Sequence, residues 1–499
     1  MSKDQIKLFP VLSIIIAIAA KVPFFLTRHI QEDAFITWRV AHNLLNYGVI
    51  GFNGTERISA STSYLYVGVS SLFMFFLGKE NFIEALLVGN TILFTLGTYF
   101  LSKILFRSYL YQGLFVILIG ILPPAIRTSI LGMEYGLLFF LEMSLLYFGF
   151  FHGKKWVKIL LPLFIIFTRL DAVIFLAVLG FTDMIWRRRP DWILLLGGAI
   201  ALGSYFAFNF FYFGEWVNNT IIAKYTAYQR DFTVWQLLDM FAKNSGNFWG
   251  MLKLPVPINP FTVLVLLFEL FCFIYLVNIK NSRNFFIGVL FLFGWIKQAL
   301  FLSQRSYFDW YYWIPQLVLF VPVLVFILEQ QKRKYFWLSL LFIFYLLPMI
   351  GFQLVHSIST GNGEWNYRRK IGLFLDRYEK NKNEWIFLEP AGYIPYFSGL
   401  KTIDEVGLVD KGVQKEMRED REHYFINIVK NRKPKYILSY RDLYQDRDRV
   451  FYKQNYRLVR KFRIENHLHS DSAILEKIYR LKPSGTDYNL YQIKKNKKF

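Results

Sequence analysis

The chain alternates long apolar runs with short polar connections. Runs near 20 residues, the length that crosses a bilayer as a helix, occupy residues 8–27, 83–106, 109–126, 134–151, 191–213, 261–279, 284–303, 312–329 and 335–355. Residues 156–186 suffice for two short helices, divided at the TRLD of 168–171. Two segments carry a different pattern. Between Asp33 and Leu45 apolar residues recur at helical spacing, with Glu32, Arg39, His42, Asn43 and Asn46 falling between them, as in a helix lying along a membrane surface. Residues 64–77, YLYVGVSSLFMFFL, are apolar but short, which suits an interfacial or re-entrant helix better than a span.

Charge decides how this last segment is counted. If 64–77 does not cross, Lys103 with Arg107, His152 to Lys155, Arg187 to Arg189, Lys280 with Arg283, and Lys332 to Lys334 all lie on the side of the N-terminus, as the positive-inside rule demands of the cytoplasm. If it crosses, every one of those clusters is exported. The pattern therefore predicts a polytopic α-helical membrane protein of about eleven transmembrane helices, with 64–77 as a second interfacial helix in a first outer loop, 28–82. The other outer connections become the turn from Arg127 to Glu134, the break from Arg169 to Asp171, 214–260, 303–311 and everything after about residue 357. The short, polar Met1 to Ile6 and the length of the first span predict a retained anchor rather than a removed signal peptide.

Composition agrees with this class. The 499 residues are 54% hydrophobic and 19% aromatic, with a mean hydropathy of +0.30, too apolar for a soluble domain of that size. Cys272 is the one cysteine, which excludes an internal disulfide framework and a cysteine-type zinc site. The net charge of +22 would suit nucleic acid, but the lysines and arginines cluster in short loops and in the last third of the chain, where membrane orientation and an anionic lipid surface account for them. No nucleic-acid partner is expected.

The chemistry is concentrated in the first outer loop, RHIQEDAFITWRVAHNLLNYGVIGFNGTERISASTS, residues 28–63. Glu32 and Asp33 open its helix at the positive end of the dipole, where carboxylates serve as N-terminal helix acids, as a base, or as ligands to a divalent cation (Mg2+, Mn2+ or Ca2+). The run EDAFITWRVAHNLL followed by GFNGTERISASTSYLYV resembles the opening loop of GT-C fold glycosyltransferases, and is most similar to the branch typified by mycobacterial terminal arabinofuranosyltransferases. Glu32 stands where that pattern has a first Asp, and Gly54-Thr55 where it has Pro-Gly.

Four later motifs extend the resemblance along the same face. LGMEYGLLFF, with Glu134, is similar to a Gly-x-Glu-Thr turn; TRLDAVIF, with Arg169 and Asp171, is similar to a Thr-Arg-Pro-acid motif with Leu170 in place of proline. FYFGEWVNNTIIAKY matches at Asn219, Thr220 and Lys224, with Asn218 where proline is usual, and GYIPYFSGLKTIDEVGLVD, with Tyr396 and Asp404, matches near the C-terminus. Each is weak alone. Five in order are specific.

The resemblance implies a glycosyltransferase of a bacterial inner membrane whose site faces the periplasm and whose donor is a polyprenyl-phosphate sugar, arabinofuranose in the branch named. The acceptor is then a cell-envelope glycan, lipid or protein. Asp33 is expected as base with Glu32 as partner or alternative; Arg127, Arg169, Lys224 and, more weakly, Arg305 as cations for the departing phosphate; Arg39, Asn43, Glu134, Asp171, Asn219, Tyr396 and Asp404 as substrate-binding residues. For Arg127 and Arg169 the alternative is snorkelling at an interface. A secondary transporter or flippase of lipid-linked sugars is the competing class, but it would show two-fold internal repetition, and none is visible. A channel or assembly protein would have no need of the acidic pair.

Beyond residue 357 the sequence turns polar. Helical spacing over 365–380 and 421–430 and short strands at 385–388 and 436–439 predict an extracytoplasmic α/β domain of roughly 140 residues. It carries no metal-ligand spacing, phosphate loop or nucleophile elbow, and His423, His467 and His469 read as surface residues.

Overall fold

A computed structural model describes residues 3–228, 233, 236, 260–278, 283–302, 308–329 and 333–494. The chain forms two compact units: one of residues 1–26, 83–207 and 230–354, the other of 27–82, 208–229 and 355–499. The last 145 residues thus share a unit with the first loop and with the segment that holds Asn219 and Lys224.

The first unit is helical. Where described, the expected apolar runs are largely helix, and among the described residues five helices are long and apolar enough to cross a membrane, or six if one bent pair is a single span. The runs expected as two short helices at 156–186 form Lys155–Thr168 and Val173–Arg187, separated by a 3-10 turn at Leu170–Ala172 and individually short of a full span. Helix Trp313–Glu329 is apolar all round and buries every residue from Trp313 to Phe326, so it is central to the unit. Trp192–Phe213 is its opposite, with Trp192, Leu195, Leu196 and Ile200 exposed as on a lipid-facing helix. Its other side needs Gly197, where a Cβ would lie 2.2 Å from the Lys158 carbonyl oxygen.

Two breaks depart from an uninterrupted reading of the runs. The run expected at 109–126 bends by 75° between Tyr109–Ile121 and Pro123–Ile130, because Pro123 and Pro124 cannot continue the first helix yet suit the first turn of the next. Arg127 therefore sits within a short helix, not in a turn. Helix Tyr64–Leu105 is interrupted at Gly78, whose φ of 78° only glycine adopts freely, directly after the segment 64–77.

The second unit is built on a five-stranded sheet. Strands β1 (Trp385–Leu388), β2 (Lys401–Asp404), β3 (Tyr436–Ser439), β4 (Tyr456–Phe462) and β5 (Tyr488–Ile493) lie in the order β2-β1-β3-β5-β4, the first three parallel and the other pairings antiparallel. β1 and β3 are apolar on both faces because both are covered. Phe387, Ile403 and Ile437 pack with Val413, Phe425 and Val429 on one side, while Ile386, Leu388 and Leu438 pack with Ile371, Leu375 and Ile394 on the other. β4 is a basic edge strand with Arg457, Arg460 and Lys461, which discourages further pairing. The opposite edge, β2, is capped by the first loop: the Asn53 amide donates to the Thr402 carbonyl at 2.8 Å and accepts the Thr402 N–H at 2.9 Å, as an added strand would.

Candidate active site

Helix Glu32–Tyr47 begins after the extended Gln31 with two acids in its first turn and no side-chain cap on its own N–H groups. The two acids face different partners. Glu32 Oε1 accepts the N–H groups of Gly392 at 2.6 Å and Tyr393 at 2.9 Å, and Oε2 lies 3.4 Å from Arg368 Nη1. Arg368 also bridges both oxygens of Glu364, at 2.8 and 2.9 Å. Burial pushes the Glu32 carboxyl up to about 8; Arg368 opposes the rise, Glu364 adds to it, and the two N–H groups oppose it. Burial raises Glu364 as well. Gly392 is required here, since a Cβ would stand 2.2 Å from the Glu32 carbonyl oxygen.

Asp33 is not spent in this way. Among the described residues its carboxylate has one partner, Lys224 Nζ of helix Asn219–Ala227, at 3.7 Å, and its side chain keeps 24% exposure. An acid and a cation named separately from motifs nearly 200 residues apart are thus neighbours.

The remaining expected residues of this unit bind backbone. Arg39 donates from Nε to the Phe52 carbonyl at 3.0 Å and from its two terminal nitrogens to the Pro395 and Leu400 carbonyls, both at 2.6 Å. Asn43 donates to the Gly51 and Phe52 carbonyls. Asn219 donates to Gly407 and Leu408 and accepts from Gln414. Asp404 accepts the N–H groups of Leu408 and Val409, and burial pushes its carboxyl up to about 7 against those two bonds. Arg39, Asn43 and Tyr396 also line one cavity of about 120 Å3 with His42 and three lysines.

A second constellation lies in the helical unit. Arg169, from the break between two short helices, pairs with Glu134 and, at 2.7 Å, with Asp171; Lys297 reaches Asp171 at 3.0 Å, and the Tyr135 and Tyr311 rings stand 4.8 and 5.4 Å from the guanidinium carbon. Arg127 donates to Gln316 at 2.9 Å and pairs with the half-exposed Asp309 at 3.4 Å. Arg305 lies outside the described residues. Four groups were absent from the sequence reading: Arg368, Glu364, Lys297 and Asp309. Lys297 carried a signal, being a lone charge inside NFFIGVLFLFGWIKQALFL.

The Glu32 oxygens are turned to Gly392, Tyr393 and Arg368, and the Asp33 carboxylate to Lys224. Among the described residues no group of three His, Cys, Asp or Glu is placed to hold a metal.

Residues 356–491 match a family described as "Domain of unknown function (DUF8728)". No curated protein matches the chain in sequence. Among solved structures it is similar to ArnT from Cupriavidus metallidurans bound to undecaprenyl phosphate, with 9% identity, 98% of each chain covered and a TM-score of 0.61. The fold is therefore GT-C. With its apolar helices, that makes the chain a multi-pass helical membrane protein.

Proposed function

We propose that the chain is a membrane glycosyltransferase that moves a sugar from a polyprenyl-phosphate donor to an acceptor hydroxyl on the extracytoplasmic side of a bacterial inner membrane. Support for the lipid comes from the GT-C likeness, the solved relative being bound to undecaprenyl phosphate. Arabinofuranose, the sugar of the branch the motifs resemble, is the donor sugar to test first, and a glycan, lipid or protein of the envelope is the acceptor.

The observation that carries the reading is the pair Asp33 and Lys224, 3.7 Å apart. Glycosyl transfer needs a base at the acceptor and a cation at the leaving phosphate. Asp33 takes the proton of the acceptor hydroxyl as its oxygen attacks the anomeric carbon; the bond from that carbon to the phosphate oxygen breaks, and the phosphate leaves with the electron pair. Lys224 is the cation in the same unit that serves the leaving oxygen. Arg127 and Arg169, named by the motifs, are the further cations proposed for the phosphate. Glu32 holds Gly392 and Tyr393 in place beside the base and takes no proton from substrate.

Asp33→Asn should abolish transfer from labelled polyprenyl-phosphate sugars while binding of the donor survives. An Asp33→Asn protein that turns over at the wild-type rate refutes the assignment, and Glu32→Gln losing transfer while Asp33→Asn keeps it would move the base to the neighbouring residue.

A further inference from the structure

The cavity of about 120 Å3 in the second unit has a one-sided lining: Arg39, Lys79, Lys382 and Lys401 supply four cations, and no carboxylate faces it. It has room for several waters or a tetrahedral oxyanion but not for a whole lipid or sugar chain. Arg39 is committed to carbonyls and Lys382 is paired with Asp376 at 2.8 Å, so Lys79 and Lys401 bring the uncommitted charge. Lys79 Nζ stands 4.9 Å from the Tyr396 ring and Lys401 Nζ 5.8 Å from the Trp385 ring. The field is felt by His42, whose imidazole is pushed down to about 4 by burial, with Lys79 and Arg39 adding to the effect. It is neutral at physiological pH and can donate to an anion without adding charge.

A separate observation indicates what brings the anion. In the helix that ends at Gly78, one residue before Lys79, Leu72, Phe75, Phe76 and Leu77 are exposed by 55%, 71%, 72% and 42%. In a multi-pass membrane protein a stripe of exposed aliphatic and aromatic side chains ending at a basic site is the arrangement of a segment in the acyl region whose cations meet headgroups. Asp33 does not line this cavity, and it precedes the lining residues Arg39 and Asn43 by six and ten positions on helix Glu32–Tyr47, a rise of about 9 to 15 Å.

We propose that this cavity binds the phosphate of an anionic bilayer lipid, with Lys79 and Lys401 as its charge contacts and the 72–77 stripe seated among the acyl chains. The lipid fastens the first loop and the sheet domain to the membrane surface. The site does not depend on the glycosyltransferase reading.

The test uses the full-length protein, delipidated in detergent, and measures by native mass spectrometry or labelled-lipid retention its preference for phosphatidylglycerol over phosphatidylcholine of the same chains. Losing two lysines from an anionic surface site should lower phosphatidylglycerol retention about thirtyfold in Lys79→Gln/Lys401→Gln, with Lys79→Arg/Lys401→Arg close to wild type. The same charge loss elsewhere, Lys430→Gln/Lys453→Gln, should leave retention unchanged. Equal retention by the Gln pair and wild type overturns the proposal, as does an equal loss in the remote pair. Displacement by millimolar inorganic phosphate would show a soluble-anion site, and a preference for undecaprenyl phosphate would make the cavity part of a donor path; either result also overturns it. Asp33→Asn should retain the lipid fully, so loss of transfer and loss of lipid are read separately.

Discussion

Arg39 is expected from the sequence to touch substrate, whereas its three donor positions are occupied by the carbonyls of Phe52, Pro395 and Leu400. Replacement with lysine keeps the charge but loses the planar fork that reaches three carbonyls at once, so about two of its three hydrogen bonds are lost. At about 1 kcal/mol net for each hydrogen bond lost, the clamp weakens by about 2 kcal/mol. That raises the open fraction about thirtyfold wherever opening precedes cleavage. The assay is limited proteolysis of the full-length protein in detergent, following the initial rate of cleavage between 355 and 410. A rate within a factor of three of wild type refutes the clamp, and unchanged proteolysis combined with a raised KM for the donor or acceptor would return Arg39 to substrate binding.

Three further outcomes follow from the geometry. Because Glu32 is raised from 4.5 to about 8, Asp404 from 3.8 to about 7 and Glu405 from 4.5 to about 8, all first by burial, their neutral forms favour the fold: that stability is complete below the unfolded values and is lost as pH rises through 7 to 8. Protease resistance of 355–494 should therefore fall several-fold from pH 5 to pH 9, and Glu32→Gln should flatten the profile; a resistance that rises with pH contradicts this. Arg169→Lys keeps charge but loses the fork between Glu134 and Asp171, so transfer should drop at least tenfold with the protein still inserted, and unchanged turnover would favour an interfacial anchor. Cysteines placed at Thr55 and Asn81, in a chain whose own Cys272 is buried, should both react with an impermeant reagent from outside; reaction at 55 alone would mean that 64–77 crosses the membrane.

The sequence made the helices legible because burial in lipid demands long apolar runs, and those runs leave no second interpretation. The bend at Pro123 and the interruption at Gly78 followed from residues whose backbone limits are local. Strands were harder. WIFL and YILS stood out as apolar, but KTID is a four-residue strand with three polar positions, and YRLVRKF and YNLYQI carry the charges and amides of a sheet's rim. At the site, the resemblance named Asp33 and Lys224, whereas the employment of Arg39, Glu32 and Asn219 was hidden. Most of their partners are backbone groups about 190 to 360 positions away, which leave no mark in side-chain identity. Arg368 was passed over because it lies in a junction that looked like a charged connector, although its partners are the carboxylates of Glu32 and Glu364.

The pairing of Asn53 with Thr402 spans 349 residues, and it sets a clock on biogenesis. At translation rates of about 5 to 20 residues per second, the first loop waits roughly 20 to 70 seconds for the strand it caps to be made. Until then Asn53, Arg39 and Glu32 lack the groups they hold, and Lys224 reaches Asp33 only in a loop without its scaffold. The acidic helix therefore gains its final contacts only at the end of synthesis.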